Sequence, residues 1–178
     1  MEPSPSLLSF EVKITLRLEE FALILCVPCH GVCVFTSEWA ISSLPNSVDS
    51  NPDIYPPPHE DPLLIHDALF YPRPPSKTNK VKGVDIIPNP LQMDISELKT
   101  NVKKWEIILS ENAISLTGNK DHPNACLCYM LYCLTIGRQF NLAYYIANRM
   151  ISVTKSADMT LPYGMLLTRL VEHVRVTH

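Results

Sequence analysis

A mainly α fold is what this 178-residue sequence predicts: a small N-terminal strand–helix unit and a C-terminal bundle of about four helices, joined by a proline-rich linker. Three observations predict it. Apolar residues make up 46% of the chain, enough for a real core. Beyond residue 93 they recur every three or four positions, the period of a helix with one buried face. Sixteen prolines stand against five glycines, and eleven of them lie between Pro45 and Pro90, where neither a helical nor a sheet interior can form. The expected organisation is residues 1–44 as an N-terminal segment packing on the core, 45–92 as a partly disordered linker, and 93–178 as the helical core.

The elements follow in order. Phe10, Val12 and Ile14 alternate with Glu11, Lys13 and Thr15, the period of a half-buried strand. Thr15 then caps a short helix whose first turn carries Glu19 and Glu20, favourable at its positive end. Leu18, Phe21, Ala22 and Leu25 form its inward stripe, and Pro28 and Gly31 stop it. A second short strand is expected over Val32 to Phe35. In the linker, "NPDIYPPPHEDP" and "YPRPPSKTNK" read as a semi-stiff spacer, with "DPLLIHDALF" as a piece that docks on the core.

Four helices follow. Ile95, Leu98, Val102, Trp105 and Leu109 recur at spacings of 3, 4, 3 and 4, with Asp94 or Ser96 as cap, Trp105 as anchor and Lys103 and Lys104 facing away. The second helix runs from Pro123, suited to a first turn, to Ile136, with Gly137 as its stop. Its "ACLCYMLYCL" is apolar nearly all round, so this helix is buried and the others lie against it. The third is capped by Asn141, stapled by Phe140 on Tyr145, and striped by Leu142, Tyr145, Ile146 and Met150. The fourth starts near Pro162 with Thr160 as cap. It buries Tyr163, Leu166, Leu167, Leu170, Val171 and Val174, while Arg169 and Glu172 look out.

The stretch "CVPCHGVC" concentrates three cysteines and a histidine. Cys26-x2-Cys29-His30 has the spacing of covalent haem attachment, a chemistry that needs an oxidising compartment. The N-terminus, with an early glutamate, does not read as a secretion signal. An intracellular, reducing setting with unlinked thiols is therefore expected. Phe21 to Phe35, interrupted by Pro28, His30 and Gly31, is too short and broken to span a bilayer. For zinc, Cys26, Cys29, His30 and Cys33 are the alternative ligand set, but no second pair follows at finger spacing. His122 does not complete one with Cys126, Cys128 and Cys133, because Cys126 and Cys128 stand about 200° apart on a helix. Structural thiols in a dry interior are the favoured reading, with no metal and no cofactor.

Other chemistry is weakly signalled. His122 and Cys126 share a helix face as a nucleophile and base would, without an orienting carboxylate or oxyanion donors nearby. Five glycines leave no phosphate-cradling loop, and Glu19–Glu20 and Glu60–Asp61 are adjacent rather than facing. The chain is read as no enzyme. Net charge is −3, divided between an acidic first half (10 acids and 3 bases in residues 1–76) and a basic second half (8 acids and 12 bases). A nucleic-acid module would place Lys103, Lys104, Arg138, Arg149, Arg169 and Arg175 on one face.

The blocks "ITLRLEEFALILCVPCHGVCVF", "GNKDHPNACLCYMLYCLTIGRQFNLAYYIANRM" and "LPYGMLLTRLVEHV" resemble the plant transposon protein domain of retroelement-derived proteins, over about residues 10–44 and 95–176. The first block is also similar to the opening of plant mobile domains. The resemblance carries no catalytic residues over. It implies a non-enzymatic structural or interaction protein, in a capsid-like or assembly role. The alternative is a nucleic-acid-binding helical module whose last two helices form a helix-turn-helix variant. No acidic transposase triad, reverse-transcriptase motif or zinc knuckle accompanies it, and the chain ends soon after "LPYGMLLTRL", so a truncated member is expected. The expected partner is a protein or a second copy, with nucleic acid as the alternative. Neither a membrane nor a small-molecule substrate is expected.

Overall fold

The computed structural model describes residues 15–46, 58–72, 79–81, 84–86, 93–114, 121–155 and 163–177. Among these residues six α-helices carry the fold: α1 (Leu18–Leu25), α2 (Pro62–Leu69), α3 (Thr100–Leu109), α4 (Ala125–Ile136), α5 (Leu142–Thr154) and α6 (Gly164–Thr177). Short 3-10 turns cover Ile41–Asn46 and Ile95–Glu97, and a π turn, Ser110–Ile114, prolongs α3. A small antiparallel hairpin pairs β1 (Asn79–Val81) with β2 (Val84–Ile86), Lys80 opposite Asp85. The mainly helical expectation holds. Among the described residues no helix is long and apolar enough to cross a membrane.

The centre is α4. Asn124 caps it, its Oδ1 accepting from Leu127 N at 2.8 Å, and Gly137 ends it in the left-handed region at φ 69°. Pro123 sits one place before that cap, not in the first turn. Residues 125–131 and Cys133 are all buried, so the helix has no solvent face for most of its length. It packs against α2, α3 and the turn at Ile41–Asn46. Thr36 reaches it as well, bonded through its backbone to Cys126, and its neighbour Val34 is buried.

Inside the proline-rich stretch, α2 belongs to this core. Asp61 caps it (Oδ1 to Leu63 N, 2.9 Å), Pro62 opens it, and Ile65, Leu69 and Phe70 are buried. Its C-terminal carbonyls are satisfied by Lys99, whose Nζ donates to Asp67 O and Ala68 O and whose N–H donates to Leu69 O. Phe70 bridges Leu98 antiparallel.

That bridge corrects the first bundle helix. Asp94 does cap, accepting from Ser96 N at 2.8 Å, but it caps only the turn at Ile95–Glu97. Leu98 and Lys99 are extended, and α3 starts afresh at Thr100. The two extended residues reset the helical phase, so α3 turns Val102, Glu106 and Leu109 inward. Trp105, expected as the anchor, is 49% exposed, while Glu106 is 7% exposed.

Three further expectations change. Residues 10–14 of the first strand lie outside the described residues. Thr15 is not the cap of α1; Arg17 is, its N–H donating to Glu20 Oε2 at 2.9 Å. Val32–Phe35 is no strand: Val32 alone bridges Phe140, and the chain then runs on to cover α4. Among the described residues, the N-terminal segment is a helix followed by a loop that clasps the start of α5. In α6, Val171 is exposed and Leu166, Leu167, Leu170 and Val174 are only half-buried, because this helix packs on α1 as an outer layer. Its expected start and cap, Pro162 and Thr160, lie outside the described residues.

Candidate functional site

The cysteine–histidine stretch begins where α1 ends. Cys26 takes the left-handed cap position at φ 57°, leaving its thiol exposed over Leu23 O. Cys29 is half-buried, His30 is exposed and Cys33 is buried. A thiol on the surface and another in the interior do not share an ion. Among the described residues, no three His, Cys, Asp or Glu side chains gather as metal ligands. None of the six cysteines is in a disulfide.

What the stretch supplies is backbone. Pro28 O accepts from Ala143 N and Cys29 O from Asn141 Nδ2, both at 3.0 Å, so two carbonyls of the loop hold the first turn of α5. Asn141 Oδ1 meanwhile accepts from Tyr144 N at 2.9 Å. A helix start leaves N–H groups without intrahelical partners, and here a distant loop satisfies one of them. Val32 N donates to Gln139 O (3.1 Å) and Val32 O accepts from Asn141 N (2.9 Å), which completes the clasp. Gly31 makes it fit, since at φ 98° a Cβ would stand 2.2 Å from Gln139 O.

The α4 thiols are likewise committed to the fold. Cys126 Sγ accepts from Thr36 N at 3.3 Å and leans on Thr36 O. Cys128 Sγ donates to Met93 Sδ at 3.0 Å. His122 Nδ1 lies 2.5 Å from Met93 O. The imagined base–nucleophile pair is therefore divided, with His122 held at Met93 and Cys126 at Thr36. Burial pushes the Cys126 thiol up to about 12, against smaller lowering effects from Thr36 and the Arg149 charge. Burial pushes Cys133 up to about 11, and Cys128 rises well above the ordinary range from burial, then Cys126 and Glu106. The thiolate is the reactive form, and these three are kept from it at neutral pH.

The six basic residues are divided among different duties. Arg138 pairs with Glu60, and Arg169 Nη1 donates to Leu25 O at 3.0 Å, tying α6 to the end of α1. The Arg149 Nε is buried, and its charge acts on Cys126, Tyr145 and Tyr163. Lys103 Nζ donates to Ser96 O at 3.2 Å. Lys104, on α3, and Arg175, near the end of α6, are exposed.

The surface feature that sequence reasoning missed is on α3. Its side away from α4 carries Lys104, Ile107, Ile108 and Glu111, all exposed, with Trp105 at the flank. Ile107 and Ile108 are 53% and 48% exposed. A signal for it was present: Trp105, Ile107, Ile108 and Leu109 advance by about 100° per residue and cannot all share one face. Comparison with protein-family models, curated proteins and solved structures finds no match.

Two outcomes follow for the clasp and the thiols. Gly31→Ala loses about 3 kcal/mol or more of unfolding free energy in a denaturant titration, because the new Cβ meets backbone that cannot swing aside. In native protein at pH 8, alkylation labels Cys26 first, while Cys126, Cys128 and Cys133 react only on unfolding. Their raised folded pKa values make the neutral thiol the stabilised form. That contribution is complete below the unfolded thiol pKa of about 8.5 and is lost as pH rises towards 12, so melting temperature falls across that alkaline range.

Proposed function

We propose that this chain is a non-enzymatic helical protein of the structural and interaction type that the plant transposon resemblance implies, and that it docks a protein partner on the outward face of α3. One observation carries the reading. The helix buries a carboxylate, Glu106, and presents Trp105, Ile107 and Ile108 to solvent. Scattered exposed apolar residues mean little, but Ile108 stands between Ile107 and Trp105 around the outward side of the helix, and isoleucines flanked by a tryptophan are the composition of a binding surface. The committed thiols agree with it, since packing and hydrogen bonding use them more fully than any reaction would.

A nucleic-acid module is the second reading, favoured by Lys103 and Lys104 immediately before the exposed Trp105. Lys104, the nearer cation and an exposed one, would meet a phosphate while a base stacks on the ring. The duties of Arg138, Arg149 and Arg169 within the fold weigh against a single basic face.

A photo-crosslinking amino acid at position 105 separates the readings in cells that express the chain. Covalent adducts to protein, absent when it stands at exposed Lys155, support the docking face. Adducts to nucleic acid, with affinity falling steeply as salt rises, replace it with the second reading. No adduct from position 105 overturns both. Trp105→Ala is expected to leave the melting temperature almost unchanged, as befits a half-exposed side chain.

A further inference from the structure

The docking face on α3 has an internal order that selects its partner. Taking Lys104 as zero and about 100° per residue, Ile107 and Ile108 fall some 60° and 40° to either side, and Glu111, in the wider π turn that prolongs α3, returns on the same side, within about 50° of the start. Val102, Glu106 and Leu109 lie on the opposite side, against the core. The outward stripe therefore reads cation, two isoleucines, anion: Lys104, Ile107, Ile108, Glu111.

This stripe is complementary to itself. When two copies of a helix pair antiparallel about a two-fold axis, residues whose numbers share one sum face each other. Ile107 and Ile108 sum to 215, as do Lys104 and Glu111. An axis between the isoleucines thus sets each Ile107 against the partner's Ile108, and each Lys104 against the partner's Glu111. Parallel pairing sets lysine against lysine and glutamate against glutamate, so it is disfavoured. Trp105, flanking the seam in each copy, closes over its edge. Ser110 and Asn112 bond back to Ile107 O and Ile108 O, which occupies their polar atoms locally.

We propose that the partner of this face is a second copy of the chain, docked through antiparallel α3 helices with two symmetric Lys104–Glu111 ion pairs around an isoleucine centre. The proposal rests on the reading of α3 as a docking face and names its occupant. One helix face is small by the standard of stable interfaces, so association is weak and reversible.

The test is sedimentation equilibrium on the full chain from about 1 µM to about 500 µM, a span suited to a small interface. The wild type shifts from monomer towards dimer within that range. Lys104→Glu and Glu111→Lys each weaken self-association about tenfold or more, since each turns two attractive pairs into repulsive ones. An equimolar mixture of those two variants dimerises again, because every pair across the mixed seam regains opposite charge. The double variant K104E/E111K also recovers to near the wild-type level. A wild type that stays monomeric throughout, or a mixture that does not recover, overturns self-pairing. Protein adducts from position 105 would still support the docking face in that case, so the two failures are distinguishable. Each substitution is at an exposed position, and circular dichroism confirms that the variants are folded.

Discussion

The rest of the structure depends on one constraint: α4 is apolar in every direction and must be enclosed from every direction. A helix with one greasy stripe can lie on a surface, but a run in which residues 125–131 are all buried needs cover all round. That requirement draws in parts of the chain that are far apart in sequence. The turn at Ile41–Asn46 and Thr36 come from the N-terminal third, α2 from the proline-rich stretch, and α3 from the following segment. Full burial of a large aliphatic side chain contributes about 1.5–3 kcal/mol, so α4 concentrates much of the driving force for assembly. The outer layer is weaker by the same logic. In α6, which rests on α1, no described residue is fully buried.

Enclosure also decides the fate of the sulfur chemistry. Cys126 and Cys128 are placed about 200° apart by the helix, and each finds a different partner, Thr36 on one side and Met93 on the other. Both are buried, and burial favours the neutral thiol. The cysteine–histidine stretch after α1 does its work through carbonyls and amides that receive the start of α5. Gly31 is the residue that allows the two segments to approach so closely. A pattern resembling a ligand set thus has a backbone role, with Cys33 filling space beneath it.

Much of this was legible in the residues. Gly137 and Asn141 announce their caps because conformational freedom or a side-chain oxygen suits one local geometry, and the structure uses both, whereas α4 is capped by Asn124 and not opened by Pro123. The burial of α4 follows from its lack of any polar face. The first bundle helix was harder, because Ile95, Leu98 and Val102 keep helical spacing across a break that goes with tertiary bonds to the end of α2, the Phe70–Leu98 bridge and Lys99 N–H to Leu69 O. Spacing alone then centres the face on Trp105, whereas the restarted helix centres it one residue further on, at Glu106. In α6 the stripe was readable, but not that its main neighbour among the described residues is a short helix, α1, which leaves it half-covered. The candidate site was least legible, because an apolar residue facing solvent is identified only once the core side of its helix is known.

The central claim is that α4 is the innermost and most protected element. Native-state hydrogen exchange resolved to single amides measures it most directly. The account predicts that amides from Tyr129 to Cys133 exchange slowest in the chain, with an opening free energy equal to that of global unfolding, while those of α6 exchange faster through local opening. Exchange in α4 as fast as in α6, or faster, would contradict it.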